Sequence, residues 1–180
     1  MAKLGSNLNS KNRIGILGGS FDPAHRGHLA ISKKAIKKFK LKKVIWAITA
    51  KNPLKKKSET SIPDRIKRCK EIIKSNNLIK IKFYEKIIKS NKTINLINYI
   101  KKKTKSEIFF LMGADSLINF HKWHKWNMIA EKCNVIVFDR HGYKKKSLNS
   151  LSFKRLKGKN LKFIEFNKVN ISSSQLRKIW

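Results

Sequence analysis

From residue 13 onwards, short apolar runs alternate with longer amphipathic ones. RIGIL (13–17), KVIWAIT (43–49), IKIKFY (79–84), EIFFLMG (107–113), NVIVFDR (134–140) and LKFIEF (161–166) have the length and residue types of strands. HLAISKKAIKKF (28–39) reads as a helix with Leu29, Ile31, Ile36 and Phe39 on its apolar side. A second helix over 61–75 is opened by Ser61 as N-cap, with Pro63 and Asp64 in its first turn. KTINLINYIKKK (92–103) forms a third and SSSQLRKIW (172–180) a terminal one. Residues 51–60 read as a loop, and polar residues 1–12 as a flexible lead-in to one domain over 13–180. The connections are too long for hairpins, so the strands pair in parallel through helical crossovers. The fold class expected is α/β: a Rossmann-like doubly wound parallel sheet with helices on both faces. Such a sheet binds ligands beyond the C-terminal ends of its strands, where the strand order reverses. GGSFDPAH (18–25) and GADS (113–116) both fall at strand C-termini.

Charge changes this picture less than its size suggests. The formal net charge of the 180-residue chain is +34, which makes nucleotides, RNA and membranes all candidate partners. Only seven of the 44 basic residues are arginines, however, and the fork that reads phosphates and base edges belongs to arginine. Lysine accompanies isoleucine and asparagine throughout, so it reads as solvated surface, with no specific nucleic-acid role. Cys69 and Cys133 are far apart, in apolar patterns, and neither has a Cys/His cluster beside it; buried reduced thiols are expected. No signal-peptide core is visible, and the longest apolar runs have strand length, not membrane length. The expectation is a cytoplasmic protein without a membrane partner, and a homo-oligomer is compatible with it.

The chemistry concentrates after the first strand. Gly18 and Gly19 would let the backbone turn and let a ligand approach, and Ser20 offers a hydroxyl. The pattern matches neither a P-loop nor a dinucleotide fingerprint. His25 and His28 share a helix face if the helix has begun by Ala24, and Gly27 between them would leave first-turn amides open to an anion. Phosphate contact is the reading favoured by two imidazoles at a helix start, and beside phosphate imidazole favours its charged donor form. Zinc is the alternative, without a third ligand nearby.

GGSFDPAHRGH (18–28) resembles the first signature of the nucleotidyltransferase superfamily marked by an HxGH motif, and ISSSQLR (171–177) resembles its second. FLMGADSLINFHKWHKW (110–126), VIWAITAKNPLK (44–55) and RHGY (140–143) are similar to one subfamily, the bacterial nicotinate-nucleotide adenylyltransferases. That resemblance implies adenylyl transfer from ATP to nicotinate mononucleotide, giving nicotinate adenine dinucleotide and pyrophosphate. It implies that His28 contacts the α-phosphate with His25 assisting, and that Gly18, Gly19, Ser20 and Phe21 line the ATP site. Ser173, Ser174 and Arg177 would grip the outer phosphates, although serines there also suit a plain N-cap. Asp115 would accept hydrogen bonds from the adenosine ribose, with Gly113 allowing the approach; capping the next helix is its plainer role. Trp123 would stack on the nicotinate ring, with backbone around His124 meeting its carboxylate, while Trp126 is the core candidate. Asn52, Lys55, Ser90 and Thr93 are further nicotinate-side candidates, where Lys89 and Ser90 replace the family's Tyr-Thr pair. Magnesium would arrive bound to ATP, with no metal site of the protein's own.

Two other readings make different predictions. A related enzyme acting on phosphopantetheine or nicotinamide mononucleotide would share both end signatures. A basic RNA- or DNA-binding protein would interleave aromatics with arginines on one face and would have no organised HxGH site.

Overall fold

The computed structural model of the chain describes residues 12–50, 60–74 and 76–166. Six strands form one sheet: β1 (Arg13–Gly19), β2 (Lys43–Ile48), β3 (Ile79–Lys82), β4 (Glu107–Gly113), β5 (Asn134–Phe138) and β6 (Leu161–Ile164). Their order is β3-β2-β1-β4-β5-β6 and every pairing is parallel. The order reverses between β1 and β4, so the crevice of a doubly wound sheet lies above Gly18, Gly19 and Gly113.

The near-continuous apolar strands follow from burial on both faces. Ile14, Ile16, Ile45, Ala47, Ile108, Phe110, Met112, Val135 and Val137 pack on one side with Ile94, Ile97 and Ile100 of α4 (Thr93–Thr104). Their strand neighbours Leu17, Val44, Trp46, Ile48, Phe109, Leu111, Ile136 and Phe138 point the other way. There they meet Ala35 and Phe39 of α1 (Arg26–Phe39) and Cys69 of α2 (Ile62–Ile73). Ser61 caps α2 as its sequence predicts, accepting from the Asp64 amide at 3.3 Å.

Several elements differ from the sequence reading. α1 starts at Arg26 with His25 as N-cap, so the helix has not begun by Ala24. β3 stops at Lys82, and a four-residue helix, α3 (Glu85–Ile88), follows without a side-chain cap. Short helices also fill two connections: α5 (Ala114–Ile118) and α6 (Trp126–Lys132) after β4, α7 (Lys144–Leu148) and α8 (Leu151–Leu156) after β5. Helices of four to seven residues span too few turns to show a period. Residues 1–11 of the lead-in, the loop over 51–59, Ser75 and the terminal helix fall outside the described residues.

No described helix is long and apolar enough to cross a membrane. Both cysteines are buried thiols, and burial pushes each up to about 12 from 9.0. The unfolded chain therefore loses these protons first. The stability they contribute is complete below pH 9 and is lost progressively as pH rises towards 12. A thiol-specific disulfide reagent at pH 8 is expected to leave both unmodified in the native protein and to react with both after denaturation; rapid native reaction would contradict their burial.

Candidate active site

The first turn is held by the two histidines themselves. His25 Nδ1 accepts from the Gly27 amide at 3.1 Å, and His28 Nδ1 accepts from the His25 amide at 3.2 Å. This is a capping box built from imidazoles instead of serine and glutamate. With each Nδ1 placed as an acceptor of a backbone N–H, Nε2 is the ring nitrogen left to donate to a ligand. The expectation that Gly27 leaves first-turn amides open is thus corrected: the Gly27 amide serves His25 Nδ1, and the His28 amide donates to His25 O at 3.0 Å. The imidazoles take up helix-terminal donors and present Nε2–H donors in their place. That explains histidine, and not lysine, at this helix start.

Aromatic packing fixes the rings. The His25 and His28 centroids are 3.8 Å apart, and Phe21, His28 and Trp46 form a cluster in which Phe21 lies 4.8 Å from His28 and 5.0 Å from Trp46, with His28 and Trp46 5.9 Å apart. Trp46 Nε1 donates to Ser32 Oγ, which donates to His28 O, both at 2.8 Å. Phe21 is 1% exposed, so its ring belongs to the core and only its backbone is left to meet a ligand. Its φ of +51° is the positive value in this turn; Gly18 and Gly19 continue β1 as ordinary strand residues. A Cβ on Gly18 would meet Phe110 at 3.6 Å and one on Gly19 would meet Phe21 at 3.5 Å, ordinary contacts, so neither dihedrals nor packing within the chain demands glycine here.

At the end of β4, Asp115 lies in the first turn of α5, whose N-cap is Gly113. Its Oδ2 accepts from Arg140 Nη1 at 2.7 Å, and it makes no cap hydrogen bond. A Cβ on Gly113 would lie 2.5 Å from Asp115 Oδ1, so only glycine lets the carboxylate fold back over the strand end. Arg140 was invisible as a site residue because its partner is 25 positions away.

A cleft of about 380 Å³ opens over the end of β1, bounded by Gly18, Gly19, Ser90, Thr93, Trp123 and His124 among the sequence candidates; His25, His28, Gly113 and Asp115 are not in its lining. Trp123 stands edge-on to Phe110 and Phe120, and Trp126 packs on Phe120. Ser90 Oγ accepts from the Lys92 amide and from Asn95 Nδ2, so its oxygen also organises the start of α4. Thr49, Tyr84, Glu85 and Lys122 line the cleft as well and were missed. Glu85 Oε1 accepts from the Ala50 amide at 3.2 Å; burial raises its carboxyl above the usual range, opposed by that hydrogen bond and by the Arg65 charge. Asn52, Lys55, Ser173, Ser174 and Arg177 lie outside the described residues. Among the described residues no three His, Cys, Asp or Glu side chains gather as a metal site.

The comparisons with known proteins agree with this geometry. A family described as cytidylyltransferase-like matches residues 16–179. The protein named "Probable nicotinate-nucleotide adenylyltransferase" in Pelagibacter ubique is 61% identical over 180 residues, 99% of this chain and all of that one. Its namesake in Agrobacterium fabrum is 39% identical over 131 residues, covering 72% of this chain and 70% of that one. Among solved structures, Plasmodium falciparum nicotinic acid mononucleotide adenylyltransferase, complexed with NaAD, superposes with a TM-score of 0.75 over 93% of this chain and 83% of that one. At 22% identity that likeness speaks for the fold. A nucleotidyltransferase fold with an HxGH turn at the switch point, a GAD turn beside it and relatives of this similarity place the chain in the cytidylyltransferase-like family, among the nicotinate-nucleotide adenylyltransferases.

Proposed function

We propose that the protein transfers the adenylyl group of ATP to nicotinate mononucleotide, releasing pyrophosphate. The observation that carries this is the imidazole capping box at the sheet's switch point, with the 380 Å³ cleft alongside it. A phosphate oxygen of the mononucleotide forms a bond to the α-phosphorus of ATP as the bond to the departing pyrophosphate oxygen breaks. The attacking oxygen is already ionised at neutral pH, so no protein group needs to accept a proton. What the reaction asks of the protein is alignment and stabilisation of charge.

His28 donates from Nε2 to the α-phosphate, and His25, its ring tilted against that of His28, serves the adjacent phosphates. Their Nδ1 bonds hold both tautomers, so neither ring has to exchange a proton during the step. Asp115, held by Arg140, accepts from the ribose hydroxyls. Trp123 walls the cleft that takes the pyridine ring, and Ser173, Ser174 and Arg177 hold the outer phosphates. Magnesium enters with ATP as part of the substrate.

Asp115→Ala is expected to raise KM for ATP about tenfold or more while kcat stays within about threefold, because a ribose contact is made equally before and during transfer. Unchanged KM would remove Asp115 from the ribose site. The proposal as a whole is tested by comparing kcat/KM for nicotinate mononucleotide, its amide and phosphopantetheine at saturating Mg·ATP. Preference for the nicotinate acceptor supports it; preference for either of the others, or no turnover, overturns it.

A further inference from the structure

The floor of the first turn holds a cation that the proposed chemistry has not used. Arg65 is 2% exposed, in the first turns of α2. Its Nη1 donates at 2.8 Å to Ser20 O, in the turn between β1 and α1, and at 2.8 Å to Thr49 O, just past the end of β2. Thr49 N in turn donates to Gly19 O at 2.9 Å. One guanidinium nitrogen therefore ties together the chain segments that leave β1 and β2, on one side of the crevice. A second tie runs parallel to it: Thr60 Oγ1, just before α2, donates to Asp22 Oδ1 at 2.6 Å.

Two features go beyond what packing requires. Among the described residues no carboxylate forms an ion pair with Arg65, and its Nε is buried with no hydrogen-bond partner. Guanidinium stays protonated in proteins, so this is a full positive charge in the interior, bonded only to main-chain carbonyls. A buried charge without a counter-charge is costly, and a fold that needed only a brace could use a neutral donor. Its charge reaches Cys69, one turn further along α2, and Glu85 in the cleft lining, in both cases opposing the upward push of burial. Anionic phosphates bound above the turn would supply a counter-charge.

We propose that Arg65 is a positioning residue for adenylyl transfer. It fixes the Ser20 and Thr49 carbonyls, and so the backbone beneath the phosphates, and places a buried positive charge behind that backbone. This rests on the adenylyl-transfer reading, and its test separates the two. Wild-type protein is first assayed for pyrophosphate release with Mg·ATP and nicotinate mononucleotide; absence of turnover there defeats the underlying reading, not the role of Arg65 alone.

Given wild-type turnover, Arg65→Gln keeps a donor and removes the charge and the fork. It is expected to lower kcat about a hundredfold, the scale of a displacement near 1 Å at a reacting centre, with KM for either substrate within about threefold. Arg65→Lys, which restores the charge but not the fork, is expected to recover kcat only to about three- to tenfold below wild type. A folded R65Q with kcat within threefold of wild type, or with its loss confined to KM, overturns the proposal. Should R65Q fail to fold, R65K decides: kcat down several-fold at unchanged KM supports the role, and unchanged kcat with only a lowered melting temperature refutes it.

Discussion

His28→Ala is expected to lower kcat at least about a hundredfold while the protein remains folded, since one donor to a developing oxyanion is typically worth about 2.7–4 kcal/mol of barrier. The structural cost is smaller. Alanine removes half of the capping box, the bond from the His25 amide to His28 Nδ1. Loss of a cap costs roughly 0.5–2 kcal/mol, within the usual stability of a domain. His28→Asn separates the two roles: its amide oxygen can stand where Nδ1 stands and keep the cap, but it places no donor where Nε2 does. Steady-state rates and melting curves on both variants check this. A folded His28→Ala protein with near-normal kcat would refute the role given to His28.

Phe21→Ala is expected to have the largest effect on stability, about 3–5 kcal/mol, seen as a fall in melting temperature of roughly 10 °C. The ring is 1% exposed and fills the space between His28 and Trp46, so no neighbour can collapse into its place without moving the site. Turnover falls too, because His28 loses its backing. The backbone adds a sharper expectation. With φ at +51°, Phe21→Gly is predicted to be more stable than Phe21→Ala by about 1 kcal/mol, the reverse of the usual order. Paired melting curves decide it, and alanine proving the more stable would contradict the left-handed conformation.

Much of this architecture is legible in the sequence. The four central strands show as near-continuous apolar runs because they are buried on both faces, while the edge strands β3 and β6 show as short runs in which lysine alternates with apolar residues. The site's location was legible as well, since GGSFDPAH and GADS end the two strands that flank the reversal. What sequence could not show was how the histidines are held. Helical spacing suggested two residues on one face, whereas His25 sits outside the helix as its cap, and the pair meets through hydrogen bonds to backbone amides. Arg65 and Arg140 were passed over for a related reason: their partners lie 16 to 45 residues away and are set by the fold, not by local pattern. Among so many basic residues no composition signal distinguishes an arginine with a structural partner from a solvated lysine. Glu85 and Tyr84 were hidden by α3, too short to show a period, which turns them into the cleft.

The central claim is a specific bond-forming step, and its most direct test is to identify the product. Purified protein incubated with Mg·ATP and nicotinate mononucleotide should yield nicotinate adenine dinucleotide and pyrophosphate in equal amounts, read by mass spectrometry and a pyrophosphate assay on the same sample. Pyrophosphate without the dinucleotide, or ATP recovered unchanged, would contradict the account.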